Sequence, residues 1–344
     1  MLQTDKGLAP AGNMALRLKN ALSLQSESLQ SESAQSKPGS LPNFDLISLE
    51  PLIDSSNALP ENWYQLAALL WQLRDQYQGF VLLHGTDTLA YTASALSFLT
   101  QSLCKPVIVT GSQYPLEYEH SDAPSNVVAA LHYACNKDIQ ETLIAFGGKL
   151  LRGNRSTKVS TYSPQGFDSP NLSPLGQWNE LSNSSHASTL NRDKLLPALS
   201  CESNLYLTLS QAAKQPMAQV CIIKLYPGMQ AEQLRPLLQA PTQAVVLETY
   251  GSGNAPDKNQ ALLSLLKQAT DSGIVIVNRS QCPQGPVSVS YATGSALAEC
   301  GVISAFDMTC EASFTKLHCL LQAGFSGDEL KQAFSRNHCG EFSV

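Results

Sequence analysis

Short apolar runs alternate with longer segments of helical spacing along the first half of the chain. Residues 44–49 alternate between apolar and polar side chains as in a strand, and from Pro60 onward apolar residues recur on one helical face. The remaining pattern predicts strands at 80–83, 106–109 and 142–146, and helices from Thr88 to about Cys104 and over about 123–136. Strands that alternate with helices indicate an α/β domain built on a parallel sheet.

The regular alternation is interrupted once and then resumes. Residues 163–215 are rich in Ser, Asn, Gln and Pro and have weak periodicity, so we place the domain linker there. Beyond it the pattern predicts strands at 220–225, 244–247 and 274–277, and helices near 231–238, 258–271, 309–322 and 327–336. This second part is a smaller parallel α/β unit.

These patterns predict two domains, a larger one over 1–200 and a smaller one over 216–344, with the variable region 163–215 carrying the linker. Within the first, residues 21–40 contain a short tandem repeat, LQSES followed by LQSES. Ser, Gln and Glu dominate there, so we expect a flexible insertion without a chemical role.

Composition narrows the possible functions. The chain has 344 residues, a formal net charge of −6 and only 15% charged residues. Without a run of basic residues, nucleic acid and anionic membranes are not expected as partners. No apolar stretch approaches the ~20 residues of a membrane span. Residues 1–14 lack the charged and apolar regions of a secretory signal, so a cytoplasmic location is expected.

The cysteines indicate the same compartment. Nine cysteines occur, an odd number, and none forms a C-x-x-C pair. We interpret them as buried free thiols in a reducing environment. No spacing typical of a tetrahedral zinc site is present, and no metal is expected.

Four predicted strand ends carry compact polar sequences. Ligands bind at the carboxyl ends of parallel strands, so these segments are the candidate site. They are Asp54-Ser55-Ser56, His84-Gly85-Thr86-Asp87-Thr88, Thr110-Gly111-Ser112, and the basic stretch Arg152-Gly153-Asn154-Arg155-Ser156-Thr157-Lys158.

Thr86 and Asp87 have two readings from their position. Gly85 permits a tight turn at a strand end, which would present the Thr86 hydroxyl and nearby N–H groups to a bound anion or a developing oxyanion. A threonine hydroxyl needs a base before it can act as a nucleophile, and Asp87 could orient that base or bind a substrate ammonium. Alternatively, Thr86 or Asp87 caps the following helix.

Lys158 is the candidate base. A lysine accepts a proton from a hydroxyl only if burial or neighbouring positive charge lowers its pKa, and Arg155 is near it in sequence. The alternative is an ordinary surface lysine. His84 is a weaker candidate for the base, because no Ser-His-Asp order accompanies it.

The motifs resemble those of a known family. The stretch His84-Gly85-Thr86-Asp87-Thr88-Leu89-Ala90-Tyr91-Thr92-Ala93-Ser94-Ala95-Leu96 resembles the second signature of the bacterial L-asparaginases, most closely the cytoplasmic type. The same family is resembled by Lys105 to Gln113, Arg152 to Lys158, Tyr250 to Pro256 and Tyr291 to Gly294. The likeness is weak over residues 1–20 and then covers about 41–340.

The resemblance implies a two-domain asparaginase-like fold and the hydrolysis of L-asparagine to L-aspartate and ammonia. Thr86, Asp87 and Lys158 match the family's catalytic triad, in which the threonine attacks or activates a water, the lysine accepts its proton and the aspartate positions the lysine. Asp54, Ser55, Ser56, Thr86 and Asp87 match the substrate-binding residues. The resemblance implies no cofactor, and it implies a homodimer or homotetramer.

Two departures from the family concern the N-terminal stretch. The family's T-G-G-T-I segment, with a further threonine, does not occur in this sequence, and Leu8 stands where a tyrosine is usual. We therefore expect the chain to begin after that strand and to be inactive or nearly so. The alternative is a catalytically dead relative that binds asparagine or aspartate. An asparaginase-like subunit of a tRNA-dependent amidotransferase ranks third, because no extra domain or basic surface is present.

Some members of the family also bind asparagine at a separate regulatory site. Residues that match or conservatively replace that site are Thr157, Asn254, Ser280, Gln281 and Cys282. Glu248, however, stands where an arginine is expected, and its carboxylate would repel that of the effector. We therefore predict hyperbolic kinetics.

Overall fold

The computed structural model describes residues 2–4, 7–9, 17, 20, 41–179, 188–197, 216–288 and 292–343. The chain divides into two compact units. The first comprises Met1–Ser169 and Ser173–Cys201, and the second comprises Pro170–Leu172 and Glu202–Val344. The expected flexible insertion at 21–40 lies outside the described residues.

The first unit is built on a six-stranded mixed sheet. Its strands in chain order are β3 (Phe80–Leu83), β4 (Val107–Thr110), β5 (Thr142–Phe146), β6 (Lys149–Arg152), β9 (Gly176–Trp178) and β10 (Ser188–Leu190). Two small antiparallel pairs accompany it: β1 (Leu2–Thr4) with β2 (Gly7–Ala9), and β7 (Thr157–Lys158) with β8 (Phe167–Asp168). The order across the large sheet is β10-β9-β6-β5-β4-β3. Strands β3 to β5 run parallel, so their carboxyl ends share one edge.

The described residues of this unit include the helices α1 (Pro60–Leu73), α2 (Leu89–Leu99) and α3 (Ala123–Ala134). Pro60 at the first position of α1 fits that helix because the missing N–H would have no intrahelical partner. Strands β4 and β5 are buried along their whole length. Burial on both faces explains why these strands are continuous apolar runs.

Two expectations for this unit were wrong in detail. Residues 44–49 form no strand: Phe44 and Leu46 pack against Val127 of α3, and no ladder runs through the segment. An alternation of apolar and polar residues can thus arise from packing of the apolar side chains on a helix, without strand pairing. The region after residue 163, expected to be irregular, contains β8, β9 and the short β10. Strands of two or three residues are too short to show a periodic signal.

The second unit has a four-stranded parallel sheet in the order β11 (Val220–Lys224), β12 (Ala244–Thr249), β13 (Val275–Ser280) and β14 (Ile303–Ser304). Its helices are α4 (Ala231–Leu234), α5 (Gln260–Asp271), α6 (Ala292–Glu299), α7 (Cys310–Gln322) and α8 (Gly327–Phe334). Alternate residues of β12 enter two different cores, Val245 and Leu247 on one face, Ala244 and Val246 on the other. The predicted parallel α/β unit is therefore confirmed.

The cysteine expectation was only partly right. Of nine cysteines, Cys201 lies outside the described residues, and the other eight are free thiols. Cys300, Cys319 and Cys339 are buried, but Cys135 and Cys282 are exposed because they follow the end of a helix and of a strand. Among the described residues, no helix combines the length and apolar character that crossing a bilayer requires.

Candidate active site

The site is built around the loop that follows β3. That strand ends at Leu83, and α2 begins at Leu89. The residues between them present Thr86 and Asp87 before the helix, with Thr88 at its N-cap position. The N-cap position is therefore not occupied by Thr86 or Asp87, contrary to the capping alternative, and Thr88 itself makes no side-chain cap hydrogen bond.

Ser55 holds this loop from a neighbouring segment. Its hydroxyl oxygen accepts a hydrogen bond from the Asp87 N–H at 3.3 Å, and its carbonyl accepts one from the Thr88 hydroxyl at 2.7 Å. A Cβ atom on Gly85 would lie 2.4 Å from the Ser55 hydroxyl oxygen. Glycine is thus required at position 85 by the close approach of a second chain segment.

Thr86, Asp87 and Lys158 meet at one point. The Lys158 Nζ donates hydrogen bonds to Thr86 Oγ1 and to Asp87 Oδ1, each at 2.9 Å. The Lys158 side chain is 22% exposed and that of Asp87 is 60% exposed. The predicted convergence of these three side chains is present, and a hydroxyl, an amine and a carboxylate lie within hydrogen-bond reach at a surface open to solvent.

Lys158 reaches this point because two features fix its backbone. It belongs to β7, where it pairs with Phe167 of β8. The preceding 3-10 turn Gly153–Arg155 is buried against α2, and a Cβ on Gly153 would lie 2.9 Å from the carbonyl oxygen of Ala93. Gly153 therefore permits the close packing of this turn on the helix that begins after Thr86 and Asp87.

Asp54 and Ser56 complete one side of the site. The Asp54 carboxylate caps the 3-10 turn Ser55–Asn57, accepting hydrogen bonds from the Ser56 N–H at 3.1 Å and the Ser56 hydroxyl at 3.0 Å. Ser56 is exposed and Ser55 is buried. The three residues predicted to bind substrate thus lie in one turn, and Ser55 also holds the loop that carries Thr86 and Asp87.

Asn126 was not predicted, and it joins two strand ends. Its Nδ2 donates to the Gly111 carbonyl at 3.0 Å, and its Oδ1 accepts from the Gly147 N–H at 3.0 Å. A buried asparagine on an otherwise apolar helix face was the available signal. Thr110, which was predicted, turns inward and donates to the Ala145 carbonyl at 2.6 Å.

A cavity of about 500 Å³ opens beside Lys158. It is lined by the hairpin between β7 and β8, with contributions from Val159, Ser160, Tyr162 and Gln165. The Tyr162 side chain is 78% exposed at its edge. The cavity provides room for a small polar molecule next to the Lys158 amine.

Comparison with known proteins identifies the family. The family model "Asparaginase, N-terminal" matches residues 12–190, and "Glutaminase/Asparaginase C-terminal domain" matches residues 219–334. L-asparaginase 1 of Escherichia coli strain K12 is 44% identical over 304 residues, which cover 88% of this chain and 86% of that one. The chain belongs to the asparaginase family.

Solved structures agree with this assignment. L-asparaginase I from Vibrio cholerae superposes with a TM-score of 0.81 and 37% identity, covering all of this chain and 95% of the other. The L-asparaginase from Thermococcus kodakarensis gives a TM-score of 0.77 at 28% identity with the same coverage. The predicted two-domain asparaginase fold is thereby confirmed.

His84 of this asparaginase-family chain follows β3 directly. Its Nδ1 lies 2.7 Å from the Gly85 carbonyl oxygen and its Nε2 lies 2.9 Å from Thr92 Oγ1. Burial lowers the pKa of His84 below its ordinary value, against a smaller opposing effect of the Gly85 hydrogen bond. Both ring nitrogens are already engaged, which argues against His84 as the catalytic base. Among the described residues, no cluster of His, Cys, Asp and Glu is suited to hold a metal ion.

The residues of the predicted regulatory site that fall in the second unit make hydrogen bonds to neighbouring residues of that unit. Gln281 Nε2 donates to the carbonyls of Leu225 at 2.6 Å and Glu248 at 3.0 Å, and Ser280 Oγ donates to the Gly251 carbonyl at 2.5 Å. The Cys282 N–H donates to Ser280 Oγ at 2.9 Å. These three residues are used by the fold itself.

Asn254 and Glu248, the other two second-unit residues named for the regulatory site, also have partners within the unit. Asn254 closes a small turn, bridging to Tyr250. Glu248 forms an ion pair with Arg279 on the adjacent strand at 2.6 Å, and both side chains are 13% exposed. The Glu248 carboxylate, expected to repel the carboxylate of an effector, is paired with a cation of the protein itself. Thr157 belongs to the first unit, and its grouping with this set stays a prediction.

Proposed function

We propose that the protein hydrolyses L-asparagine to L-aspartate and ammonia, with Thr86, Lys158 and Asp87 as the catalytic residues. The observation that carries the proposal is the pair of 2.9 Å hydrogen bonds from Lys158 Nζ to the Thr86 hydroxyl and the Asp87 carboxylate. Membership of the asparaginase family and similarity to proteins named L-asparaginase support the substrate.

In the proposed reaction Lys158 accepts the proton of the Thr86 hydroxyl. The Thr86 oxygen then adds to the side-chain amide carbon of asparagine, and the C–N bond breaks as ammonia leaves with a proton from Lys158. Water hydrolyses the resulting ester, which yields aspartate and restores Thr86. A hydroxyl so activated can alternatively activate a water for direct attack, with the same net products.

Substrate binding is proposed for the turn opposite Thr86. The exposed Asp87 carboxylate and Asp54 carry negative charge that suits the substrate's ammonium group. Ser56 and the N–H groups near the start of α2 suit its carboxylate. Because Ser55 already accepts a hydrogen bond from the Asp87 N–H, we expect it to affect substrate binding by positioning the loop that carries Thr86 and Asp87.

We also propose that the protein is cytoplasmic, that it forms a homodimer or homotetramer, and that its two domains span 1–200 and 216–344. Size-exclusion chromatography with light scattering measures the assembly directly, and a monomer at micromolar concentration would contradict it.

The test of the proposal measures ammonia release from asparagine alongside asparagine binding by calorimetry. The Thr86→Val variant keeps the shape of the side chain and removes the hydroxyl, so it is expected to lose at least ~10³-fold in kcat while still binding asparagine. Thr242→Val is the matched control, since Thr242 belongs to the second unit, where its hydroxyl lies 3.6 Å from the Cys221 sulfur. Binding without turnover by the unsubstituted chain would instead agree with the expectation drawn from the missing T-G-G-T-I segment, an inactive chain, or with a binding relative without catalysis.

A further inference from the structure

We infer that His84, anchored by Thr92, is a positioning residue that holds the Gly85–Thr86 turn so that the Thr86 hydroxyl faces Lys158. The inference rests on the proposed function, in which Thr86 supplies the reacting hydroxyl. It concerns a side chain that the proposed reaction itself does not use.

The hydrogen-bond partners define one protonation form of the His84 ring. The Gly85 carbonyl oxygen can only accept, so Nδ1, 2.7 Å from it, carries the proton and donates. Nε2 of a neutral ring is then the acceptor, and the Thr92 hydroxyl, 2.9 Å away, donates to it. The ring thus bridges the Gly85 carbonyl to the Thr92 hydroxyl in a single orientation.

Thr92 is a rigid anchor for this bridge. It is completely buried, and its backbone N–H donates to the Thr88 carbonyl at 3.0 Å in the first turn of α2. The Gly85 carbonyl belongs to the peptide unit that leads into Thr86. Through the ring, therefore, the peptide unit next to the reactive residue is tied to a fixed position on a buried helix.

The backbone of His84 is fixed as well. Its N–H donates to the Thr110 carbonyl at 2.8 Å at the end of β4. A Cβ on Gly111 would lie 2.2 Å from the His84 carbonyl oxygen, so the two strand ends are in close contact. The ring has little freedom to follow a moving loop, and the constraint acts on Gly85 and Thr86.

Two sides of the loop are thereby held by different residues. Ser55 accepts the Asp87 N–H on one side at 3.3 Å, and His84 donates to the Gly85 carbonyl on the other at 2.7 Å. Thr86 is the residue between these two attachments. Misplacement of a reacting group by about 1 Å can lower a rate by about 100-fold, so we expect a displacement of this loop to lower kcat.

Substitutions at position 84 separate the possible roles of the ring. An asparagine side chain can place its amide N–H near the position of Nδ1 and still donate to the Gly85 carbonyl, whereas alanine cannot. We expect His84→Ala to lower kcat by about 10- to 100-fold with a smaller change in KM, and His84→Asn to recover to within about threefold of the unsubstituted chain. Equal kcat losses in both variants would overturn the role of the Nδ1 donor.

Position 92 tests the anchor independently. Thr92→Val keeps the volume and removes the hydroxyl, and we expect it to lower kcat several-fold, while Thr92→Ser restores most of the loss. His132→Asn is the control histidine, because His132 lies on α3 with its ring centroid 5.1 Å from that of Trp178, outside this network. Thermal unfolding of each variant accompanies the assay, and a kcat loss that only follows a loss of folded protein would overturn the inference.

A measurement without turnover separates this inference from the proposed function. Nitrogen-15 NMR of histidine-labelled protein should show His84 with a protonated Nδ1 and a bare Nε2, identified by the signal that disappears in His84→Asn. In a backbone spectrum, the Gly85 and Thr86 amide signals should move in His84→Ala and Thr92→Val and remain near their positions in Thr92→Ser. If the unsubstituted chain releases no ammonia but these signals behave so, the proposed function fails and the positioning of the loop stands. A protonated Nε2 with a bare Nδ1 would overturn the inference even in an active enzyme.

Discussion

Lys158 with Asp87 in the first unit and Arg279 with Glu248 in the second are two ion pairs that differ in what else they touch. In the first unit Lys158 divides its hydrogen bonds between Asp87 and the Thr86 hydroxyl, and Asp87 is 60% exposed. In the second unit Arg279 and Glu248 are both 13% exposed. An ion pair open to solvent can exchange a partner for a ligand, whereas a closed ion pair mainly stabilises the fold.

The surroundings explain the difference. Lys158 lies on a strand of two residues beside a cavity of about 500 Å³, so solvent and small molecules reach its amine. Glu248 and Arg279 occupy opposing positions on two central parallel strands, and helix α7 begins close by at Cys310. Burial and the nearby Glu248 carboxylate raise the pKa of the Cys310 thiol, which keeps that thiol protonated beside the pair.

The largest expected effect comes from breaking the open pair. Lys158→Met removes the proposed base, and we expect kcat to fall by at least ~10³-fold, with the free energy of unfolding changed by no more than about 1 kcal/mol. Ammonia release and chemical denaturation measure the two quantities on the same protein. If Lys158→Met lowered the free energy of unfolding as much as Arg279→Met does, the two ion pairs would not differ in their structural role.

Breaking the closed pair should have the opposite profile. Arg279→Met leaves the Glu248 carboxylate buried without its cation, and we expect the free energy of unfolding to fall by about 3 kcal/mol. The double variant Arg279→Met with Glu248→Leu should recover much of that loss, because no buried charge then remains. If Arg279→Met unfolds at the same denaturant concentration as the unsubstituted chain, the pair has no structural role.

A smaller effect distinguishes the second unit in acid. Burial lowers the pKa of His318 on α7 to about 4, below the ordinary value of 6.5. A histidine that must remain neutral contributes stability that is complete above about pH 6.5 and is lost as the pH falls toward 4. We expect the unfolding temperature to decrease across this window, and His318→Gln to reduce the slope. A pH-independent unfolding temperature between 6.5 and 4 would contradict this.

The smallest expected effect is on cooperativity. Position 248, where the family resemblance implies an arginine, carries a glutamate, and the neighbouring Arg279 is paired with that glutamate. Neither side chain is therefore available to bind the carboxylate of an effector. Asparagine saturation of an active form should be hyperbolic, with a Hill coefficient near 1. Clearly sigmoidal saturation, lost on substitution of Gln281, would show that the predicted site is regulatory after all.

Prediction from the sequence identified the parallel core of both units and the three side chains that meet, Thr86, Asp87 and Lys158. Continuous apolar runs such as Val107–Thr110 and Thr142–Phe146 are strong signals because strands buried on both faces tolerate few polar residues. It failed at residues 44–49, where alternation was satisfied by packing on α3, and at β8 to β10, which are too short to carry a period. It also missed Asn126, whose partners are backbone groups distant in sequence.

The α/β class, the family and the chemical types present at the strand ends follow from local periodicity and from motifs that are continuous in the chain. Which groups touch, by contrast, depends on the folded arrangement of segments that are far apart in sequence. Thr86 and Lys158 are 72 residues apart and Ser55 is 32 residues from Asp87. Their contacts depend on strand order and on glycines that permit close approach. The same limit applies to Glu248: its residue type indicated repulsion of an effector, but the neighbouring strand supplies Arg279, because register between strands sets the partner of a buried charge.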